Sequence, residues 1–135
     1  MTIETWKKEF YTKDAKSKMT KRQAVEHSIK KWNGLTKANL KKHLVFKDNF
    51  SNQIYDNEIN WFSINDESCA LCVKYYEGAL DEGCEKCPLF VSLGRPCANP
   101  SRFSPYDDYY KKSNPSKMIK VLEETLEKII SGEIK

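Results

Sequence analysis

The stretch TKRQAVEHSIKKWNGLTKANLKKH, residues 20–43, carries the signals of two consecutive helices joined by a turn. Thr20 is a candidate N-cap, and Gln23 stands three residues later at the reciprocal position of a capping box, which marks the start of the first helix. An apolar stripe then follows at the helical spacing i, i+4 and i+7, so it lies on one face. Its members are Val25, Ile29 and Trp32.

A turn and a second helix complete this stretch. Gly34 predicts a left-handed stop after the first helix, because glycine adopts a positive φ without a steric penalty. Thr36 is the next N-cap, with Leu35 before it and Leu40 inside the helix in the arrangement of a hydrophobic staple. We therefore predict a helix-turn-helix-like hairpin from about residue 20 to residue 44.

The segments on either side of this hairpin carry weaker signals. A shorter helix is expected around Glu4 to Tyr11, packed onto the hairpin through Trp6 and Phe10. Residues 45–65 show no helical period and contain several Asn and Asp residues. They are expected to form a loop that leads into one short strand near Ile59 to Ile64.

The C-terminal helix is the clearest element in the sequence. Asn114 is its expected cap, and Pro115 suits its first turn because proline lacks an N–H that would be unpaired there in any case. Gly132 is expected to end the helix. Its buried stripe is Met118, Ile119, Leu122, Leu126 and Ile129.

Together these elements predict a small α+β domain that is mainly helical. At 135 residues and 15.7 kDa the chain fits a single domain with one core. Within it we expect a basic helical part (residues 1–50), a loop and strand region that holds a four-cysteine zinc-knuckle module (residues 51–112), and the C-terminal helix (residues 113–132).

Charge is distributed unevenly along the chain. Residues 1–50 hold 13 Lys/Arg and 5 Asp/Glu, a net +8, whereas residues 51–100 hold 3 and 8, a net −5. Residues 101–135 are nearly balanced, with 7 and 6. A basic first third can mark a nucleic-acid contact, but in a lysine-rich chain it is more often a set of solvated helix faces.

The apolar runs of the sequence predict no membrane contact. The run near the cysteines, Leu89 to Val91, is far shorter than the roughly 20 residues of a membrane span. The N-terminal segment MTIETWKKEF lacks the apolar stretch of a signal peptide. We therefore expect a cytoplasmic location, which is the host cytoplasm if the chain is of phage origin, and reducing conditions that keep thiols free.

All five cysteines of the chain fall within residues 69–97. Cys69 and Cys72 form one C-x2-C pair, and Cys84 and Cys87 form a second pair 11 residues later. Two residues between thiols let a tight turn direct both sulfurs to one ion, and two such pairs complete a tetrahedral shell. A closed shell of four thiolates is typical of a structural site, so one Zn²⁺ per chain is the expected cofactor.

The ligand set and the metal each have an alternative. Cys97 lies close enough in sequence to replace one ligand, so either Cys69 or Cys97 is the spare thiol. An iron–sulfur cluster would use the same four thiolates. Disulfides within the pairs would indicate a redox protein, but no strand-then-helix pattern surrounds them. His27 and His43 are distant in sequence and are interpreted as packing or surface residues.

The run CALC (69–72), CEKCPLF (84–90), GRPC (94–97) and SPY (104–106) resembles a pattern in small, uncharacterised cysteine-rich proteins of bacteriophage genomes. The upstream segment KKWNGLTKANLKKH (30–43) is also similar. The resemblance covers about residues 20–110, roughly two thirds of the chain. It implies a zinc-stabilised accessory protein and transfers no catalytic residue.

No catalytic pattern is visible in the sequence. A zinc deaminase requires an H-x-E helix and a P-C-x2-C helix, and the residues around His27 and Cys84 fit neither. A phosphate-binding glycine loop and a nucleophile elbow are also missing. We therefore expect a non-enzymatic protein-interaction module that is braced by the zinc site and, if of phage origin, binds and modulates a host protein.

Nucleic-acid binding is the alternative function. The segment PSRFSPYDDYYKKS, residues 100–113, mixes stacking faces with cations, although the helical spacing of its tyrosines also suits packing. A DNA-reading second helix is weakly indicated, since Asn39 is its one base-reading side chain. The candidate contacts are Lys37, Lys41, Lys42, Arg95, Arg102, Tyr106 and Tyr110.

Overall fold

A computed structural model describes residues 2–15, 17–64, 69–71, 87–93 and 105–134. The described part is mainly helical with one antiparallel sheet, which confirms the predicted α+β class. The helices are α1 (Ile3–Phe10), α2 (Lys21–Asn33), α3 (Lys37–Lys42), α4 (Pro88–Leu93), α5 (Pro105–Lys112) and α6 (Ser116–Ile130). The strands are β1 (Val45–Lys47), β2 (Gln53–Asp56) and β3 (Trp61–Ser63).

The helical hairpin forms with the predicted caps. The Thr20 hydroxyl accepts from the Gln23 N–H at 3.1 Å, and the Gln23 side chain accepts from the Thr20 N–H at 2.9 Å, which is a complete capping box. The Thr36 hydroxyl accepts from the Asn39 N–H and so begins α3. These local hydrogen bonds explain why the two helix starts could be predicted from the sequence.

The turn between α2 and α3 does not use Gly34 in the predicted way. Gly34 has a φ of −67°, in the right-handed region, so the expectation of a left-handed stop is wrong. Its importance is steric: a Cβ at this position would lie 2.5–2.7 Å from side-chain atoms of Phe10. Glycine is required because α1 packs against this turn, and that requirement comes from a residue 24 positions away in the sequence.

Trp6 is the centre of the packing between α1, the hairpin and the sheet. Its side chain is fully buried, and its Nε1–H donates to the Gly34 carbonyl at 2.8 Å. Its ring lies 5.9 Å from that of Phe10 and 5.7 Å from that of Phe62, which extends down from β3. A buried indole usually needs such a partner for its N–H. The expected packing of α1 through Trp6 and Phe10 is therefore confirmed.

The sheet contains two strands where the sequence predicts a loop. The strand order is β1-β2-β3, and both pairings are antiparallel. The expected strand near Ile59 to Ile64 corresponds to β3, but β1 and β2 were missed within residues 45–58. These strands are three and four residues long and are separated by Asn- and Asp-rich turns, so their alternation is too brief to be visible.

The C-terminal helix packs across the helical part of the domain, against α2, α4 and α5. Its buried face includes Met118 and Leu122 of the predicted stripe and also Thr125, which is not part of that stripe. The Asn114 side chain accepts from the Ser116 N–H at 3.0 Å, but Pro115 is the residue before the helix, which therefore begins one residue later than expected. Gly132 follows the helix with a φ of +88°, which confirms the predicted glycine stop.

Within the described residues, no helix combines the length and the apolar character that a membrane span requires.

Asp56, at the end of β2, joins the first helix to the sheet. Its Oδ2 accepts from the Ile3 N–H at 2.8 Å, one of the N–H groups at the start of α1 that have no partner inside the helix. Its Oδ1 accepts from the Glu58 N–H at 2.9 Å and the Asn60 N–H at 3.1 Å, inside the turn that leads to β3. These hydrogen bonds, led by the one from Ile3, hold the pKa of Asp56 below its ordinary value.

We expect Asp56→Asn to lower the melting temperature and to reduce the further fall of the melting temperature in acid. Because the folded-state pKa lies below the ordinary value of 3.8, the stabilisation is complete above that pH and is lost as the pH falls through the folded-state pKa. Thermal unfolding followed by circular dichroism between pH 2 and pH 7 measures both effects. Some loss of stability in acid should remain in the variant, because the pKa of Glu9 is also lowered, mainly by its hydrogen bond to Lys42 and secondly by the one to His43.

Asp48→Asn is the matched control, because Asp48 is exposed and its carboxylate accepts from the Tyr55 hydroxyl at 3.2 Å, a contact that asparagine can keep. Its melting curve should stay close to that of the unmodified chain. Equal losses in the two variants would contradict the role assigned to Asp56.

Candidate functional site

The predicted zinc ligands are only partly within the described residues. Cys69 and Cys87 are half-buried and pack against the hydrophobic core, whereas Cys72, Cys84 and Cys97 lie outside the described ranges. Cys69 precedes two helical residues, Ala70 and Leu71, and Cys87 precedes α4, whose first residue, Pro88, has no N–H. In the parts of the chain that are described, no three His, Cys, Asp or Glu side chains converge as a metal site.

The fold brings His27 into the neighbourhood of Cys69, although the two residues are distant in sequence. Burial lowers the pKa of His27, and the charge of a Cys69 thiolate is one of the smaller effects that raise it. Burial raises the pKa of the neighbouring Tyr11 to about 12, and Cys69 again adds to the shift. The His27 Nε2 pairs with the Lys13 carbonyl at 2.7 Å. This proximity is not visible in the sequence, because only tertiary packing produces it.

His43 belongs to a polar cluster that joins α1 to α3. Its Nε2 lies 2.7 Å from Glu9 Oε1 and its Nδ1 lies 3.0 Å from Thr5 Oγ1, while Lys42 donates to Glu9. A hydroxyl, an imidazole and a carboxylate in this order resemble a nucleophile with its base. However, the Thr5 hydroxyl is held by the backbone of Thr2 in the cap of α1. This cluster therefore works as a structural link, and the interpretation of His43 as a packing residue agrees with its burial.

The candidate nucleic-acid contacts are scattered over the described structure. Lys37, Lys41 and Lys42 are exposed on α3, and Lys42 forms an ion pair of 2.9 Å with Glu9. Arg95 and Arg102 lie outside the described residues. Of the five cationic residues among the candidate contacts, the structure therefore describes the three lysines.

The tyrosines of that set contact other aromatic rings of the chain. Tyr106 is half-buried with its ring 6.4 Å from that of Trp32, and Tyr110 is half-buried with its ring 6.2 Å from that of Phe50. Tyr109 between them is fully buried, and its ring lies 4.8 Å from that of Trp32. These edge contacts stabilise the packing of α5, so the rings of Tyr106 and Tyr110 are only partly available for stacking on a base.

The outer face of the sheet carries three exposed aromatic side chains in one line, which we call the aromatic row: Phe46, Tyr55 and Trp61. Phe46 pairs with Tyr55 across β1 and β2, and Tyr55 pairs with Trp61 across β2 and β3. Their exposed fractions are 40%, 38% and 62%. Cross-strand neighbours have Cβ atoms about 5 Å apart, so the three rings form a continuous apolar surface.

Three further apolar side chains around the sheet are exposed on backbone that L residues rarely adopt. Leu44, Phe50 and Ile59 have φ values of 54°, 60° and 65°. Leu44 precedes β1, Phe50 lies in the turn between β1 and β2, and Ile59 lies in the turn between β2 and β3 with 91% of its surface exposed. A positive φ at a β-branched residue costs about 1–2 kcal/mol or more, and burial does not compensate this cost at Ile59.

The exposed charges of this region are negative. Residues 44–64 contain one cation, Lys47, and three carboxylates. Lys47 extends from the inner face, where its ammonium donates to the Asp48 carbonyl at 2.6 Å and the Ser113 hydroxyl at 3.3 Å. Burial lowers its pKa to about 8. With Asp56 also buried, the exposed ionic groups within residues 44–64 are those of Asp48 and Glu58.

The aromatic row was missed because the strands that align it were missed. Phe46, Tyr55 and Trp61 are separated by eight and five residues, so no sequence motif connects them. The alternation of exposed and buried positions in QIYD and the pair WF were the available signals. Without the pairing register, these signals do not indicate that the three rings are neighbours.

We expect Trp61 to account for nearly all collisional quenching of the intrinsic fluorescence. Of the three tryptophans, Trp6 and Trp32 are buried. Acrylamide titration of the folded chain should therefore reveal one accessible fraction, which Trp61→Phe removes. In denaturant the remaining two tryptophans should become accessible. Undiminished quenching in folded Trp61→Phe would contradict the placement of the aromatic row.

The chain matches no protein-family model, and neither a curated protein nor a solved structure is significantly similar to it. Its function is therefore inferred from the residues and geometry described above.

Proposed function

We propose that the chain is a non-enzymatic, zinc-stabilised protein-interaction module whose contact surface is the aromatic row on the outer face of the sheet. The observation that carries this proposal is the alignment of Phe46, Tyr55 and Trp61 by the strand register. Aromatic side chains are enriched in protein interfaces, where they contribute much of the binding energy.

The area of the exposed apolar surface supports an interaction role. A fully exposed aromatic side chain presents on the order of 200 Å², so the exposed fractions of the aromatic row correspond to roughly 280 Å² of largely apolar surface. Leu44 and Ile59 raise the area to roughly 550 Å² if each side chain is given the same full area. The largest apolar patch of a soluble monomer commonly covers about 300–600 Å² and often serves in binding, so the size of this surface is compatible with an interaction role.

The proposed zinc site would stabilise the segment between the sheet and the last two helices. Cys69, Cys72, Cys84 and Cys87 would hold one Zn²⁺, with Cys97 as the possible substitute ligand. A structural zinc contributes directly to folding free energy, because its four ligands tie together parts of the segment that are distant in sequence. The half-buried thiols of Cys69 and Cys87 support this assignment.

Nucleic-acid binding through Lys37, Lys41 and Lys42 on α3 is the second candidate function. The exposure of these lysines favours it. The aromatic row would not take part in such binding, because Asp48 and Glu58 beside it would repel phosphate. The two functions therefore use different surfaces and can be separated by position-specific experiments.

Photo-crosslinking provides the test of the interaction surface. Benzoylphenylalanine is placed at Trp61 and, as a matched control, at Ile130, which is 59% exposed at the end of α6. After illumination in cells that make the chain, we expect a discrete protein adduct from position 61 and none from position 130. We expect this difference because position 61 lies within the proposed contact surface, where an anchor residue touches the partner, and position 130 lies outside it.

The alternative outcomes discriminate the candidate functions. Adducts removed by nuclease, together with salt-sensitive nucleic-acid binding that Lys37→Ala and Lys41→Ala weaken, would replace the proposal with nucleic-acid binding. Equal adducts from both positions would indicate non-specific contact and would contradict the proposal.

The zinc site is tested by metal analysis of the purified chain. We expect about one zinc per chain, since the metal completes the folded segment. Cys84→Ser should lose the metal and lower the melting temperature, whereas Cys97→Ser should leave both unchanged if Cys69 is the ligand. Iron in place of zinc, or no metal at all, would contradict the assignment. A loss of zinc in Cys97→Ser together with retention in Cys69→Ser would make Cys97 the fourth ligand.

A further inference from the structure

The aromatic row is bracketed by two carboxylates at opposite ends of the sheet. Asp48 follows β1 and accepts from the hydroxyl of Tyr55, so its carboxylate is held beside the row. Glu58 lies in the turn between β2 and β3, next to Ile59. The four residues of β2 separate these ends by about 13 Å, at about 3.3 Å per residue.

The size of the surface suits a peptide segment rather than a second globular domain. A stable interface between two proteins buries about 800 Å² on each partner. The aromatic row with Leu44 and Ile59 offers roughly 550 Å² by the estimate above, over a sheet three strands wide. At about 4.8 Å between strands, this sheet is about 10 Å across, which one extended strand or one helix can cover.

The charge of the surface selects the partner further. Asp48 and Glu58 are exposed, and Lys47 is turned away toward α5, so no cation from residues 44–64 faces the partner. A ligand with cationic side chains gains attraction at both ends of the sheet, and an anionic ligand is repelled. Phosphate-bearing strands are disfavoured on the same grounds.

Ile59 is the residue at which this surface opposes stability. The turn from Asp56 to Asn60 is closed by the Asp56 N–H, which donates to the Asn60 carbonyl at 3.0 Å, and its left-handed position commonly holds glycine or asparagine. Ile59 occupies it with a φ of 65° and almost complete exposure. An exposed β-branched residue at this position is unfavourable for the isolated chain and favourable for an apolar contact with a ligand.

We infer that the aromatic row binds a short cationic segment of a partner protein, in which two Lys or Arg residues about 13 Å apart bracket an apolar side chain. The apolar side chain packs on Tyr55 and Trp61, and the two cations pair with Asp48 and Glu58. This inference rests on the proposed function and adds the chemistry of its partner. Two cations at i and i+4 of an extended peptide satisfy the spacing.

The test uses capped five-residue peptides and the full chain. Lys-Thr-Phe-Thr-Lys places both cations and the ring on one face of a strand, and Glu-Thr-Phe-Thr-Glu reverses the charges with the same shape. Binding is followed by the fluorescence and the indole NMR signal of Trp61, the exposed tryptophan. We expect the lysine peptide to bind at least about tenfold more tightly at low salt, with the preference falling as salt rises.

Variants connect this preference to named residues. The double variant Asp48→Asn, Glu58→Gln should abolish the preference for the lysine peptide without affecting the fold, because both side chains are exposed. Trp61→Ser should weaken binding by about tenfold or more, as expected for an anchor residue. The double variant tests whether the two carboxylates cause the charge preference, and Trp61→Ser tests whether the peptide binds at the aromatic row.

Ile59→Asn separates binding from stability. We expect it to raise the melting temperature by about 3–5 °C, since asparagine tolerates a positive φ, and to weaken peptide binding. Ile130→Asn is the matched control, because Ile130 is also exposed but lies at the end of α6. It should leave peptide binding unchanged.

Four results would overturn the inference. They are equal binding of the two peptides, binding that survives Trp61→Ser, tighter binding of single-stranded DNA than of the lysine peptide in a Trp61-dependent manner, and concentration-dependent dimerisation that Trp61→Ser abolishes. If position-61 crosslinks to protein persist while the peptide preference fails, the proposed function stands and only the partner chemistry is wrong. If the crosslinks also fail, the proposed function fails with it.

Discussion

The arrangement of the sheet depends on the hydrogen bonds that the carboxylate of Asp56 accepts. This carboxylate accepts from the first N–H of α1 and from two N–H groups in the turn between β2 and β3. One side chain thereby ties the N-terminal helix to the sheet and shapes the turn that brings Trp61 opposite Tyr55. Within this turn, Ile59 has a positive φ and is exposed to solvent. The core and the exposed surface thus depend on the same buried charge, which is stable there because its acceptor sites are hydrogen bonded.

The two faces of the sheet have separate roles. On the inner face, Ile54 is fully buried and Phe62 contacts Trp6, so this side belongs to the core. Lys47 also extends inward and interacts with the ring of Tyr109 and with the end of α5. The aromatic row occupies the other face. Because side chains alternate along a strand, one register decides both faces together, and a shift by one residue would exchange them.

Elements whose stabilising contacts are local could be predicted well. The capping box of Thr20 and Gln23, the cap at Thr36 and the stop at Gly132 involve residues within four positions of each other. Gly34 shows the limit of this reasoning: its position at a helix end was recognised, but the reason for glycine was wrong, because that reason is the packing of Phe10. The strands were harder still, since three-residue strands are stabilised by pairing and by packing rather than by their own propensity.

By itself, the sequence determined the mainly helical α+β class, the helix starts, the uneven charge and the clustering of thiols in two C-x2-C pairs, from which a zinc site is proposed. Only the tertiary structure decided that Phe46, Tyr55 and Trp61 are neighbours, that Lys47 faces inward, and that His27 lies near Cys69. The physical reason is the range of the interactions. Caps and helical stripes are formed within one or two turns of the chain, whereas a surface arises from residues that only pairing and burial bring together.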